Sequence, residues 1–304
     1  MTVMMHDIHT DLKGKVKHQR LDNIDFNDLL YADDTLLFTT NARSMNFFIK
    51  QIQQESLYYG MKLNQNKCVA ITMNGDNLIK FEDNSKMSKN LDVKYLGGTI
   101  TQDVNVRAEI SGRLNSATGV WKKLNDFWRL ESCSVRWRLL VYDAVVRAKL
   151  CYGLETVHLT QNDQTRINAF QIRGLRKILK LCSSYYDRRN SNAHVMWVAN
   201  RKVQREGSEK EIIKTTDYIE LARIKLLGDI FRAEKDDPIR QVTLVPFINT
   251  PYSIPLRRAG CPRKHWTVES ARLTWTKLGL QPNFEDHDRT HWHRLNEAAK
   301  QLHF

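Results

Sequence analysis

The chain has 304 residues, 41% hydrophobic and 27% charged, the balance of a soluble globular protein with length for one large domain or two ordinary ones. No apolar run reaches the length of a membrane span and the first residues lack the layout of a secretory signal. The five scattered cysteines (Cys68, Cys133, Cys151, Cys182, Cys261) form no Cys-x-x-Cys pair, which argues against a zinc knuckle and for reduced thiols in an intracellular setting, cytoplasmic or nuclear. The net charge of +13 is uneven: residues 1–100 hold 12 basic against 12 acidic side chains, 101–200 hold 16 against 8, and 201–304 hold 19 against 14. A neutral start with a basic remainder suits a polyanion held beside an acidic site, and equally a solvated basic surface.

In chain order, the first strong pattern is DLLYADDTLLFTT at 28–40, where Asp33 and Asp34 stand side by side between apolar runs. Residues 26–32 and 35–40 read as two short strands of a hairpin with a tight turn. Adjacent carboxylates repel each other and resist burial, unless a cation relieves them. Mg²⁺ takes hard oxygen ligands and keeps waters and substrate phosphates, so a paired acid at a hairpin tip suits it; a plain Asp-rich turn is the alternative. Residues 43–59 carry Phe48, Ile52 and Leu57 near helical spacing, with Gly60 as the stop. KCVAITM (67–73) and VKYLGGTI (93–100) are β-rich, which makes the first hundred residues an α+β layer.

From about 104 the pattern is helical. Ile110, Leu114, Ala117, Trp121, Leu124 and Trp128 keep a three-or-four step, and 135–150 does the same. In 164–182 Arg166, Arg173, Lys177 and Lys180 form a basic stripe, with Ile167, Leu175 and Ile178 on another face. That suits a helix packing inward and meeting phosphate outward, or a solvated face. All six prolines lie past residue 237, so 238–262 reads as a loop. His287 and His291 in EDHDRTHWH (285–293) have metal-ligand spacing, but a surface or packing role is the preferred reading beside Trp292 and Leu295. AGCPRK (259–264) reads as a helix-start loop with Pro262 in the first turn.

YADD at 31–34 resembles the polymerase hairpin of reverse transcriptases, and its flanks DLLYADDTLLFT resemble those of non-LTR (LINE-type) retrotransposons. Further blocks are similar in the same order: GMKLNQNKCVAI (60–71), VKYLGGTI as a primer-grip hairpin, EISGRLNSATGVWKKL (109–124) and LVYDAVVRAKLCYGLETVHLT (140–160) as thumb helices. RIKLLGDIFRAEKDDPIRQ (223–241) and RRAGCPRKHW (257–266) resemble the tail behind such domains. The resemblance implies a partial polymerase palm over 1–102, made of the YADD hairpin with a helix and strands. A mainly helical thumb or connection over 103–200 and a helical C-terminal extension over 201–304, with the Pro-rich loop, would follow.

It also implies RNA-directed DNA synthesis by two-metal nucleotidyl transfer, with an RNA template, a DNA primer and deoxynucleotides as partners, no membrane, and Mg²⁺ or Mn²⁺ as cofactor. Asp33 and Asp34 would hold metal, Asp33 the firmer ligand. Tyr31 would lie near the primer end or incoming nucleotide, and Lys67 near the nucleotide phosphates, as proton donor to the leaving group. Tyr95, Leu96 and Gly97 would hold the primer backbone, with Gly97 and Gly98 allowing close approach. The basic helices after 104 would follow the template–primer duplex through its phosphates.

In the family a further metal-binding aspartate, the fingers and a template-contacting helix precede the hairpin. The opening MTVMMHDIHTDLKGK resembles the tail of that helix and the strand after it. None of Asp7, Asp11, Asp22, Asp25 and Asp28 stands in the context of that further aspartate. The chain alone is therefore expected to lack the N-terminal polymerase half and to be inactive. The alternative is a non-enzymatic nucleic-acid-binding or scaffold protein derived from a retroelement.

Overall fold

Alternation along 28–37 builds the first sheet. Asp28–Tyr31 (β1) pairs antiparallel with Asp34–Leu37 (β2) in the register Asp28↔Leu37, Leu29↔Leu36, Leu30↔Thr35 and Tyr31↔Asp34. Successive strand side chains point to opposite faces, so Leu30 and Leu37 share one face, Tyr31 and Asp34 the other. The first face lies against Ala42–Tyr58 (α2), in a cluster with buried Phe48 and Ile52 and with Met4, Met5 and Ile8 of Thr2–Leu12 (α1). The computed structural model describes residues 2–12, 28–73, 78–103, 106–204, 211–234, 237–245 and 266–278.

Helix α2 begins at Asn41, whose side-chain oxygen accepts the Ser44 N–H at 2.8 Å. It ends as the sequence suggests, at Gly60 with φ +65°. Gly60 N–H donates to Leu57 C=O at 3.1 Å and Met61 N–H to Ser56 C=O at 2.8 Å, the paired bonds of a Schellman turn. Leu57 departs from expectation: it is 68% exposed. Nine residues after Phe48, it sits about 180° round the helix from it.

A second cluster joins Ile49, Ile79 and Phe81 to Leu37, Met45, Leu63 and Ala70. The run 67–73 supplies only Val69–Ala70 (β3), paired in parallel with Ser88–Lys89 (β4). A 3₁₀ turn over Gln65–Lys67 takes the start of that run, and its strand partner is only two residues long. Asp92–Tyr95 (β5) and Gly98–Thr101 (β6) form an antiparallel hairpin closed on Tyr95↔Gly98. Its two turn residues, Leu96 (φ 48°) and Gly97 (φ 77°), both have positive φ, as a type I′ turn requires.

The chain divides into two units, Met1–Asn105 and Val106–Phe304. The second is helical: Val106–Lys123 (α3), Asn125–Arg129 (α4), Val135–Val141 (α5), Ala148–Cys151 (α6), Gln161–Leu179 (α7), Asn192–Val203 (α8), Thr215–Arg232 (α9), Pro238–Thr243 (α10) and Trp266–Leu278 (α11). The stripe read from the sequence is its core face: Ile110 and Ala117 are fully buried, with Leu114, Trp121, Leu124 and Trp128 packed beside them. Trp121 stacks on Trp128 at 4.5 Å and meets Tyr142 edge-on at 5.8 Å.

The helical run 135–150 is interrupted by a π-helical turn over Tyr142–Arg147. This turn buries an ion pair, Arg147 Nη2 to Asp143 Oδ2 at 2.7 Å, with the guanidinium 4.2 Å over the Tyr218 ring. Helix α7 starts with a capping box between Thr160 and Asp163 and buries Ile167, Leu175 and Ile178. The same core continues past position 200 through Val203, Ile212 and Ile219. Side-chain amides hold that continuation. Gln171 donates to Ile213 C=O at 2.8 Å and accepts from Thr215 N–H at 2.9 Å, while Asn200 accepts from Ile212 N–H at 2.7 Å and donates to its C=O at 3.2 Å.

Pro238 is a correction to the loop expected at 238–262. It opens α10 at the first helical position, where a missing N–H costs nothing, and Asp237 caps the Ile239 N–H at 2.9 Å. Residues 246–265 and 285–293, with the AGCPRK loop and the histidine cluster, lie outside the described residues. Cys68, Cys133, Cys151 and Cys182 are free thiols, and burial pushes the Cys151 thiol up to about 12. Among the described residues no helix is long and apolar enough to cross a membrane.

Two helical glycines separate packing from propensity. A Cβ on Gly174 would come 2.7 Å from Tyr142 Cε2, whereas one on Gly112 meets nothing within 4 Å. In urea unfolding, Gly174→Ala is expected to destabilise by about 1–3 kcal/mol and Gly112→Ala to stabilise by about 0.5–1 kcal/mol. Equal shifts would refute the close approach of Tyr142.

Candidate active site

The hairpin tip is Tyr31-Ala32-Asp33-Asp34, with Ala32 and Asp33 as the two turn residues. Ala32 has φ +54°, in the left-handed region an L-residue seldom takes. Ala32, Asp33 and Asp34 are exposed, and Tyr31 is 63% exposed. Leu30 and Leu37 tie the other face to the core, so the pleat turns Tyr31 and Asp34 outward together.

The second hairpin touches the first. Tyr95 donates its hydroxyl to the Leu29 carbonyl at 3.1 Å, across 66 positions of sequence. Burial, and then the nearby Asp34 carboxylate, raise the Tyr95 phenol above its ordinary value. Tyr95, Leu29, Tyr31 and Asp34 therefore form one neighbourhood. Leu96 and Gly97 are at the tip of that second hairpin, both exposed. A Cβ on Gly98 would meet the Tyr95 carbonyl at 3.4 Å.

The other expected residues are placed less tightly. Lys67 is exposed at the end of its 3₁₀ turn, and no hydrogen bond or ion pair among the described residues brings it to the tip. Asp7 accepts the Tyr59 hydroxyl, which raises the Tyr59 phenol and ties α1 to the end of α2. Asp28 lies on the inner face of β1, half-buried. Of the basic stripe, Arg166 is half-buried, donating to Ser111 Oγ at 3.1 Å and lying 3.7 Å from Asp163. Lys177 sits 5.9 Å over the Trp121 ring, and Lys180 ends α7 with φ 56°. No local pattern in the sequence announces the contact between Tyr95 and the backbone of Leu29.

The donor set fits a hard divalent cation in part. Two exposed carboxylates offer hard oxygens and leave room for the water and phosphate ligands that Mg²⁺ prefers. Among the described residues no group of three or more His, Cys, Asp or Glu converges on a metal position.

An acidic pair on an exposed hairpin, braced by a second hairpin, is an arrangement suited to metal-dependent phosphate chemistry. Residues 1–100 match the family model for reverse transcriptase (RNA-dependent DNA polymerase), which supports a reverse transcriptase-like domain in this stretch. No curated protein matches the chain.

With ¹³C-labelled tyrosine, the Tyr95 signal is expected to titrate above the ordinary tyrosine value and to vanish in Tyr95→Phe. Asp34→Asn should lower that titration only in part, because burial, the larger cause, remains. A Tyr95 titration indifferent to Asp34→Asn would show the two groups to be apart. The fold contribution linked to the raised phenol is complete below the unfolded tyrosine value and is lost as pH climbs through the folded one.

Proposed function

We propose that this chain is part of the RNA-directed DNA polymerase of a non-LTR retrotransposon, and that its chemistry is nucleotidyl transfer onto a primer 3′-hydroxyl. The observation that carries this reading is the register Tyr31↔Asp34, which turns the aspartate outward beside Tyr95 in a domain matching the reverse transcriptase family. Asp33 and Asp34 are the residues that would hold Mg²⁺ or Mn²⁺; when bound, the ions would activate the primer hydroxyl and offset charge on the leaving pyrophosphate. Tyr31 presents an exposed ring beside Asp34, suited to contact with the primer terminus or the incoming base. Tyr95, Leu96 and Gly97 present the second hairpin, whose tip lets a primer backbone come close. Lys67 is assigned to the nucleotide phosphates by family resemblance alone.

Two metal ions need more acidic oxygens than two carboxylates comfortably supply. We therefore expect the chain alone to bind template–primer without extending it. The same shortage supports a second reading, a retroelement-derived protein that binds nucleic acid without catalysis. Metal binding separates the two.

Mn²⁺ is expected to broaden NMR signals around Tyr31 and Tyr95 in the unmodified chain but not in Asp33→Asn/Asp34→Asn; no broadening in either favours the non-catalytic reading. In primer extension on a homopolymer template with Mg²⁺ or Mn²⁺, a salt-sensitive complex should form with no incorporation. Robust incorporation lost in Asp33→Ala would overturn the expected inactivity, and no affinity for template–primer would sink the polymerase reading.

A further inference from the structure

Helices α7 and α8 are joined by a loop whose backbone is well satisfied and whose aromatic side chains are not. Tyr186 N–H and Asp187 N–H both donate to Ser183 C=O, at 3.0 and 3.1 Å, and Asn190 N–H donates to Asp187 C=O at 3.0 Å. Arg176 of α7 clamps the loop from below, donating to Asn190 C=O at 2.8 Å and to Asn192 Oδ1 at 3.0 Å. On this fixed loop Tyr185 is 89% and Tyr186 82% exposed, meeting only edge to face at 5.3 Å. Two adjacent rings left this bare gain nothing from burial, so folding does not account for them.

Aromatic exposure continues on α8. Trp197 is 53% exposed; His194 stacks on one part of it at 5.7 Å and the Arg201 guanidinium lies 5.0 Å over its ring, one helical turn on each side. Arg189 holds the Asp187 carboxyl below its usual range through its hydrogen bonds and charge, with a smaller contribution from His194. The charge here is one-sided. Residues 180–202 hold Lys180, Arg188, Arg189, Arg201 and Lys202 against the single acid Asp187, which is already paired with Arg189 at 3.1 Å.

We propose that this face, formed by Tyr185, Tyr186, His194, Trp197 and Arg201 with Arg188 at its edge, binds an unpaired nucleic-acid strand by stacking its bases. Exposed rings on a rigid support within positive charge are what a single strand requires: each base offers a π-face to stack, and each phosphate seeks a cation. A duplex hides its base faces and would leave the rings unused. Stacking and phosphate contact do not read the sugar, so RNA and DNA strands should bind alike. The inference lies in the second unit and does not rest on the polymerase reading.

The test is fluorescence anisotropy with the full chain at physiological salt, without metal or nucleotide. Its probes are oligouridylate and oligothymidylate of about twelve nucleotides, an abasic strand of equal charge, and a duplex. Both base-bearing strands should bind at least about tenfold more tightly than the abasic strand. Tyr185→Ala/Tyr186→Ala should cost about tenfold or more, and Trp197→Ala about fivefold, on the single strands alone, while Tyr185→Phe/Tyr186→Phe should lose less than about threefold because the rings remain. Binding of the abasic strand as tight as the others, or alanine variants indistinguishable from the parent, would overturn the proposal. So would a chain that self-associates through this face, with the alanine variants monomeric.

Discussion

The contact of Leu30 and Leu37 with the cluster around Phe48 and Ile52 governs the candidate site. A strand has a period of two, so fixing those leucines inward fixes Tyr31 and Asp34 outward. A slip of one residue would drive a carboxylate toward methionine and phenylalanine side chains, at a desolvation cost of several kcal/mol. Leu30 and Leu37 are partly buried, and each contributes less than the roughly 1.5–3 kcal/mol of a fully buried leucine in the other direction. The acidic tip therefore needs no polar network to hold it out; apolar packing on the reverse side does so. Tyr95 adds a further constraint on that hairpin, through its phenol on the Leu29 carbonyl.

Much of the α+β character was legible from local patterns. The hairpin at 28–37 follows from alternation on either side of the two aspartates, α2 from its spacing and Gly60, and the α3 core from a three-or-four step. What escaped depends on partners distant in sequence or on geometry that no period encodes. The strand at Val69–Ala70 is defined by its parallel pairing with Ser88–Lys89, a mate distant in sequence. The π-helical turn at Tyr142–Arg147 keeps a helical hydrophobic pattern while changing the backbone pitch. Arg166 hydrogen-bonds a serine 55 positions away, a partnership that no helical period encodes. Asp237-Pro238 could have been read correctly, since an N-cap aspartate before a first-turn proline is a helix start. The Tyr-Tyr pair at 185–186 among arginines was also visible; its exposure was not.

The second unit shows a different economy. Where the chain passes from α8 to α9, Gln171 and Asn200 each give one backbone stretch both a donor and an acceptor. A primary amide imitates a peptide group, so these two side chains do the pairing a neighbouring strand would do in a sheet. The backbone polar groups they meet are thereby satisfied beside fully buried Ile212. Such amides specify a location, because shifting the segment by one residue would break both bonds at once.

Ala32 at the hairpin tip carries a last consequence. Holding an L-residue at φ +54° costs on the order of 1 kcal/mol that a glycine would avoid. Glycine, however, would also let the turn sample many shapes. With alanine the corner is stiffer, so on the proposed reading the two carboxylates would surrender less conformational entropy to a bound cation, and rigidity at one methyl-bearing residue would become affinity at its acidic neighbours.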